Sequence, residues 1–167
     1  MGDSIKFNGS GDLDNGMTVG VYYELDGGNF DDYSLTLGLG DGMGTLGFSG
    51  ASMSPGGVDS VKDIVPTAYT PVYENTNGVD NGLATTSGRN QTSMWGYQNS
   101  IGDVAISLGY NPKNSTAHQD GETGIGITYT GIEGLTAVVG RFDDDGIAEN
   151  DTYGIKYALN NITAAYQ

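Results

Sequence analysis

The chain has 167 residues, with 21 aspartates and glutamates against six lysines and arginines, and a formal net charge of −15. So acidic a surface excludes nucleic acid as a partner, because phosphate recognition needs clustered lysine and arginine. The lack of cysteine excludes disulfide frameworks and thiolate metal sites, and no apolar run reaches the roughly 18 residues that a membrane-crossing helix needs. The 29 glycines follow no triplet repeat, and 10% aromatic residues argue against both a collagen-like and a disordered chain. A mean hydropathy of −0.31 reads as soluble, but a membrane barrel hides its apolar half from any average because its strands alternate. Met1–Ser4 carries neither a basic nor an apolar stretch, so no signal peptide is present in this sequence.

Apolar residues recur with period 2 along most of the chain, the mark of strands with two unlike faces. Ile5 and Phe7 alternate with Ser4, Lys6 and Asn8. After Asp14-Asn15-Gly16, a tight-turn signal, Met17, Val19, Val21, Tyr23 and Leu25 alternate with Thr18, Gly20, Tyr22 and Glu24. Tyr33, Leu35, Leu37 and Leu39 form a third strand, and Leu46 and Phe48 a fourth. Trp95 and Tyr97 begin a fifth; Val104, Ile106, Leu108 and Tyr110 make a sixth; Ile125, Ile127 and Tyr129 a seventh. The stretch 135–142 is a strand of ambiguous facing, since alternation puts Arg141 with Leu135. Tyr153, Ile155, Tyr157 and Leu159 make a ninth strand, and Ile162, Ala164 and Tyr166 a tenth.

The connections alternate between short turns and longer polar segments at 26–32, 111–122 and 143–151, with the longest by far at 50–93. A structureless connection that long is rare in a compact domain unless it has a task. The polar faces of the strands are mainly Gly, Ser, Thr and Ala with few charges. Those residues suit a lumen better than a water-exposed sheet, and the aromatic residues near strand ends suit interfacial girdles. The expected fold is all-β, an antiparallel up-and-down transmembrane β-barrel forming one domain over 1–167, with 50–93 as its distinctive loop. A soluble β-sandwich is the alternative.

The residues from Ser4 through the Asp14-Asn15-Gly16 turn, the strand at Tyr33–Leu39 followed by Gly44-Thr45-Leu46-Gly47-Phe48, and Gly88-Arg89-Asn90 before Met94–Tyr97 resemble the Gram-negative general-diffusion porins. The resemblance runs over the whole chain, more loosely toward its C-terminal end, and rests on the order and spacing of segments, not on one motif. It implies about ten strands of a sixteen-stranded barrel, incomplete at both ends. It also implies that 50–93 folds into the pore, placement in the bacterial outer membrane amid lipid and lipopolysaccharide, and a homotrimer. The implied activity is passive diffusion of small hydrophilic solutes and ions, without a cofactor.

In that family acidic groups on the inward loop face basic groups across the pore. The resemblance therefore puts Asp59, Asp63, Glu74 and Asp80 at a constriction and Arg89 on the basic wall. Lys6 and Lys156 fall on the polar faces of their strands and are expected to point inward. Ser4 and Ser49 stand where many family members carry arginine, which thins the basic side and implies a modest cation preference. Pro55-Gly56-Gly57 and the apolar run from Ile64 to Tyr69 read as the elements that bend the loop inward and pack it on the wall.

Two other functions have sequence features to weigh. An enzyme would need a held nucleophile–base pair, and His118, the only histidine, stands in a polar loop without one, so no enzymatic activity is expected. Asp31, Asp32, Asp143, Asp144 and Asp145 offer hard oxygen ligands for Ca²⁺ at loop ends, but not in EF-hand order. The alternative to a channel is a surface barrel acting in adhesion or in Ca²⁺-stabilised contacts.

Overall fold

A computed structural model describes residues 4–26, 29–49, 57–61, 64, 94–112, 121–144 and 148–167. Its ten strands are β1 (Ile5–Asp12), β2 (Thr18–Asp26), β3 (Asn29–Gly38), β4 (Thr45–Ser49), β5 (Met94–Ile101), β6 (Val104–Asn111), β7 (Glu122–Tyr129), β8 (Leu135–Asp144), β9 (Ala148–Leu159) and β10 (Ile162–Tyr166). They form one sheet in sequence order, each pairing antiparallel with the next. This is the all-β up-and-down meander that the alternation predicts. A 3₁₀ turn, Gly57–Val61, lies between β4 and β5 in the chain.

The turns at one end are tight for local reasons. Leu13 N–H bonds Met17 O at 2.8 Å and Gly16 N–H bonds Leu13 O at 3.0 Å, with Gly16 at φ 80°, a region that glycine enters without steric cost. Gly44, at φ 86°, has a second reason: a Cβ there would run into Gln98 O and stand 2.9 Å from Asn99 Cβ.

At the other end the strands run further than their apolar pattern. Asp26 pairs with Asn29 across a bulge-bearing β2–β3 ladder, and Asp144 pairs with Ala148. The expected long connections at 26–32 and 143–151 are therefore mostly strand. Hydrophobic alternation marks only the part of a strand that meets an apolar layer, whereas the backbone ladder continues through charged pairs such as Arg141 and Asp151.

Register sorts the side chains into two continuous faces. One carries Phe7, Val21, Leu35, Leu46, Trp95, Leu108, Ile125, Val139 and Ile155, all largely exposed. A contiguous apolar surface of this extent marks contact with a membrane or a partner; in a sandwich a second sheet would cover it. On this face Phe7, Tyr23 and Tyr33 lie side by side in register across β1–β3, and Phe48, Trp95 and Tyr110 do so across β4–β6. Phe48 and Trp95 pack with ring centroids 4.9 Å apart, and Phe7 and Tyr23 at 6.1 Å. Aromatic clusters on an apolar face are what a lipid–water boundary selects.

The two faces predict opposite responses to the same charge. Leu35→Arg, on the apolar face, should cost about 2–4 kcal/mol of stability in lipid. Ser34→Arg, one residue away on the polar face, should cost well under half of that. Urea titration of the folded protein in vesicles reads both, and equal losses would contradict the assignment of faces.

Candidate pore wall and inward turn

The 3₁₀ turn Gly57–Val61 lies on the polar face of the sheet, in contact with β6, β7, β8 and β9. That face is thereby the inner one. Val61 is fully buried, and with Ile64 it packs against Val138 and Phe142 of β8. Val138 and Phe142 are apolar residues on the inner face, which explains the ambiguous facing of 135–142. This strand is apolar outward, where Leu135 and Val139 point, and also inward, where the turn covers it.

The wall beneath the turn is glycine. A Cβ on Gly57 would stand 2.7 Å from Gly124 C; one on Gly126 would strike Ser60 Oγ; one on Gly154 would stand 2.8 Å from Val138 Cγ2 and strike Ile64. Hydrogen bonds fasten the turn as well. Gln167 Nε2 donates to Val61 O at 2.9 Å and to Thr152 Oγ1 at 3.2 Å, and Ile64 N–H donates to Gln167 Oε1 at 3.4 Å. Ser60 Oγ donates to Gly57 O at 2.8 Å.

One group of charges on the inner face lies at β1 and β2. Lys6 pairs in register with Glu24, and its Nζ stands 3.3 Å from Glu24 Oε1. Tyr22 O–H donates to the other oxygen of the same carboxylate. At the far end of β6 and β7, Asn111 Nδ2 donates to Glu122 Oε2 at 3.1 Å, with both side chains buried. Lys156 shares the inner face of β9 with Thr152 and Gly154, and among the described residues it makes no ion pair. Arg141, on the outer face, bonds Glu149 at 2.8 Å and stands 3.6 Å from Asp151.

Of the residues singled out from sequence, Lys6 and Lys156 lie on the face expected for them. Asp59 lies in the 3₁₀ turn, but its side chain is outside the described residues, as are Asp63, Glu74, Asp80 and Arg89. Asp32 is buried on β3 and accepts Tyr33 N–H at 2.8 Å, whereas Asp143 is on β8, so the sheet keeps these two apart. The side chains of Asp31 and Asp144, and all of Asp145, also lie outside the description. No group of three potential metal-binding side chains occurs among the described residues. Sequence reading missed Glu24, Tyr22 and the Gln167 clamp. Apolar residues on the inner face of β8 are the signal that could have revealed where the turn sits.

A meander with an apolar outer face rich in aromatic residues, and a polar face against which the 3₁₀ turn Gly57–Val61 rests, defines an outer-membrane β-barrel channel. The sequence matches the family model described as Gram-negative porin over residues 1–167, whereas no curated protein matches it. The chain belongs to the Gram-negative porin family, a family of outer-membrane channels without enzymatic activity.

The glycine bed carries a test. Gly126→Val should unseat the turn at an overpacking cost of about 1–3 kcal/mol and alter single-channel conductance. Gly9→Val, where a Cβ meets nothing within 4 Å, should leave conductance unchanged. If Gly126→Val conducted as the parent does, the turn would not be held by this bed.

Proposed function

We propose that this porin passes small hydrophilic solutes and ions by passive diffusion with a modest cation preference. The observation that carries the preference is the Lys6–Glu24 contact at 3.3 Å. It draws one inner-face cation onto a carboxylate and, among the described residues, leaves Lys156 as the other. Asp12, Asp32 and Glu122 stand on the same inner face, so among the described residues carboxylates outnumber ammonium groups along it. Charged side chains act at close range in a narrow water-filled passage and bias the ions that enter. Asp59, Asp63, Glu74 and Asp80 on the inward loop add to the negative side, and Arg89 with Lys156 forms the thin positive side.

Family membership further supports a homotrimer, with outer-leaflet lipopolysaccharide as the neighbour of the charged outer ends of β8 and β9. Ca²⁺ at Asp31, Asp32 and Asp143–Asp145 would brace strand ends without taking part in transport.

Reversal potential in planar bilayers under a KCl gradient tests the preference. The parent protein should shift toward the cation potential. Glu24→Gln should reduce the shift, because it removes a negative charge and frees Lys6 at one stroke, and Lys156→Gln should increase it. An anion-directed shift in the parent would overturn the reading. Folded, inserted protein with no conductance would favour the adhesion alternative.

A further inference from the structure

The inner wall is chemically divided. Its ionised groups at β1 and β2 contrast with the tight-turn half of β4–β7, where the same face presents Thr45, Gln98, Ser100, Ser107 and Thr128 and no charge. With Ser60 of the 3₁₀ turn at its edge, this region lines an open cavity of ≈ 450 Å³, within the range of about 300–1,000 Å³ typical of small-molecule sites.

We propose that this cavity is an adsorption site for neutral polyhydroxylated solutes of monosaccharide size, set beside the inward turn on the path through the channel. The proposal deepens the transport reading above and rests on it. Hydroxyl and carboxamide groups both donate and accept, and each has more hydrogen-bonding capacity than one partner fills. They can therefore exchange water for sugar hydroxyls even where, as at Gln98 and Ser107, one interaction already exists. An ion gains little here, because no opposite charge lines the cavity. The edge at Ser60 is held in place by buried Val61 and by Gln167, so a solute need not order it on arrival, and that lowers the entropic cost of binding. Neutral hydrogen bonds exchanged against water are individually weak, which suits a site that must release what it holds for conduction to continue.

The test uses the complete protein in planar bilayers with KCl, titrated with glucose and, as a control of similar mass with few hydroxyls, tetraethylene glycol. Glucose should lower conductance with a saturable component, half-complete on the order of 10–100 mM as expected for weak binding. Tetraethylene glycol should lower it only in proportion to viscosity. The combined variant Gln98→Ala, Ser100→Ala, Thr128→Val should raise the half-saturating concentration by roughly threefold or more per hydrogen bond lost. Ser100→Ala alone, at an exposed position, gives a smaller shift in the same direction if the combined variant fails to insert. A glucose response no different from that of tetraethylene glycol, or a saturable response untouched by the variants, would overturn the site. Loss of conductance in the parent would instead overturn the transport reading beneath it.

Discussion

Backbone N–H and C=O groups that cross a hydrocarbon layer must find partners within the protein, since lipid supplies none. That constraint accounts for the plainest feature of the chain, ten strands paired strictly with their sequence neighbours. With ladders running between consecutive strands, each short turn can be as tight as its glycine or asparagine permits, and register is passed from one hairpin to the next. The side chains are then free to differ completely on the two faces. One face can be given over to lipid and the other to water without disturbing the hydrogen bonding that both share.

The inner face is where that freedom is used. Most of it is small and polar, yet under the 3₁₀ turn it becomes glycine and apolar residues, because Gly124, Gly126 and Gly154 let a second layer of backbone approach closely and Val138 and Phe142 give Val61 and Ile64 something to bury against. Burial of a few aliphatic side chains is a modest driving force, about 1.5–3 kcal/mol for each fully buried one. The clamp from Gln167 adds direction to it, since both its amide nitrogen and its amide oxygen engage the inward segment. A seat built in this way fixes where Gly57–Val61 and Ile64 lie along the wall.

How much of this is legible in sequence depends on whether a face is uniform. Strand number, order and the facing of β2, β6, β7 and β9 follow from alternation, because their apolar residues all point to one side. The ends of β3, β8 and β9 do not, since Asp32, Asp143 and Asp151 continue the ladder after the apolar pattern has stopped. The facing of β8 is obscured for the opposite reason: its inner residues are apolar because they lie under the turn. The Gln167 clamp joins residues more than a hundred positions apart, and no local pattern encodes such a contact. Lys6 illustrates a subtler limit. Its face could be read from period 2, but its pairing with Glu24 depends on the β1–β2 register, which the turn sets.

That pairing alters what the inner wall can do. Read singly, Lys6 would lend the wall a positive charge; paired with Glu24, and with Tyr22 on the same carboxylate, it forms a locally balanced patch whose field falls off faster than that of an isolated ion. Screening in a salt-filled lumen shortens its reach further, to about 8 Å at physiological ionic strength. The charge that an ion meets is therefore set less by the total of −15 than by which carboxylates lack a cation in register. On the tight-turn half of β4–β7, hydroxyls and amides stand in place of charges. The wall thus offers two chemically different surfaces, ionised groups around β1 and β2 and neutral hydrogen-bonding groups on the tight-turn half of β4–β7.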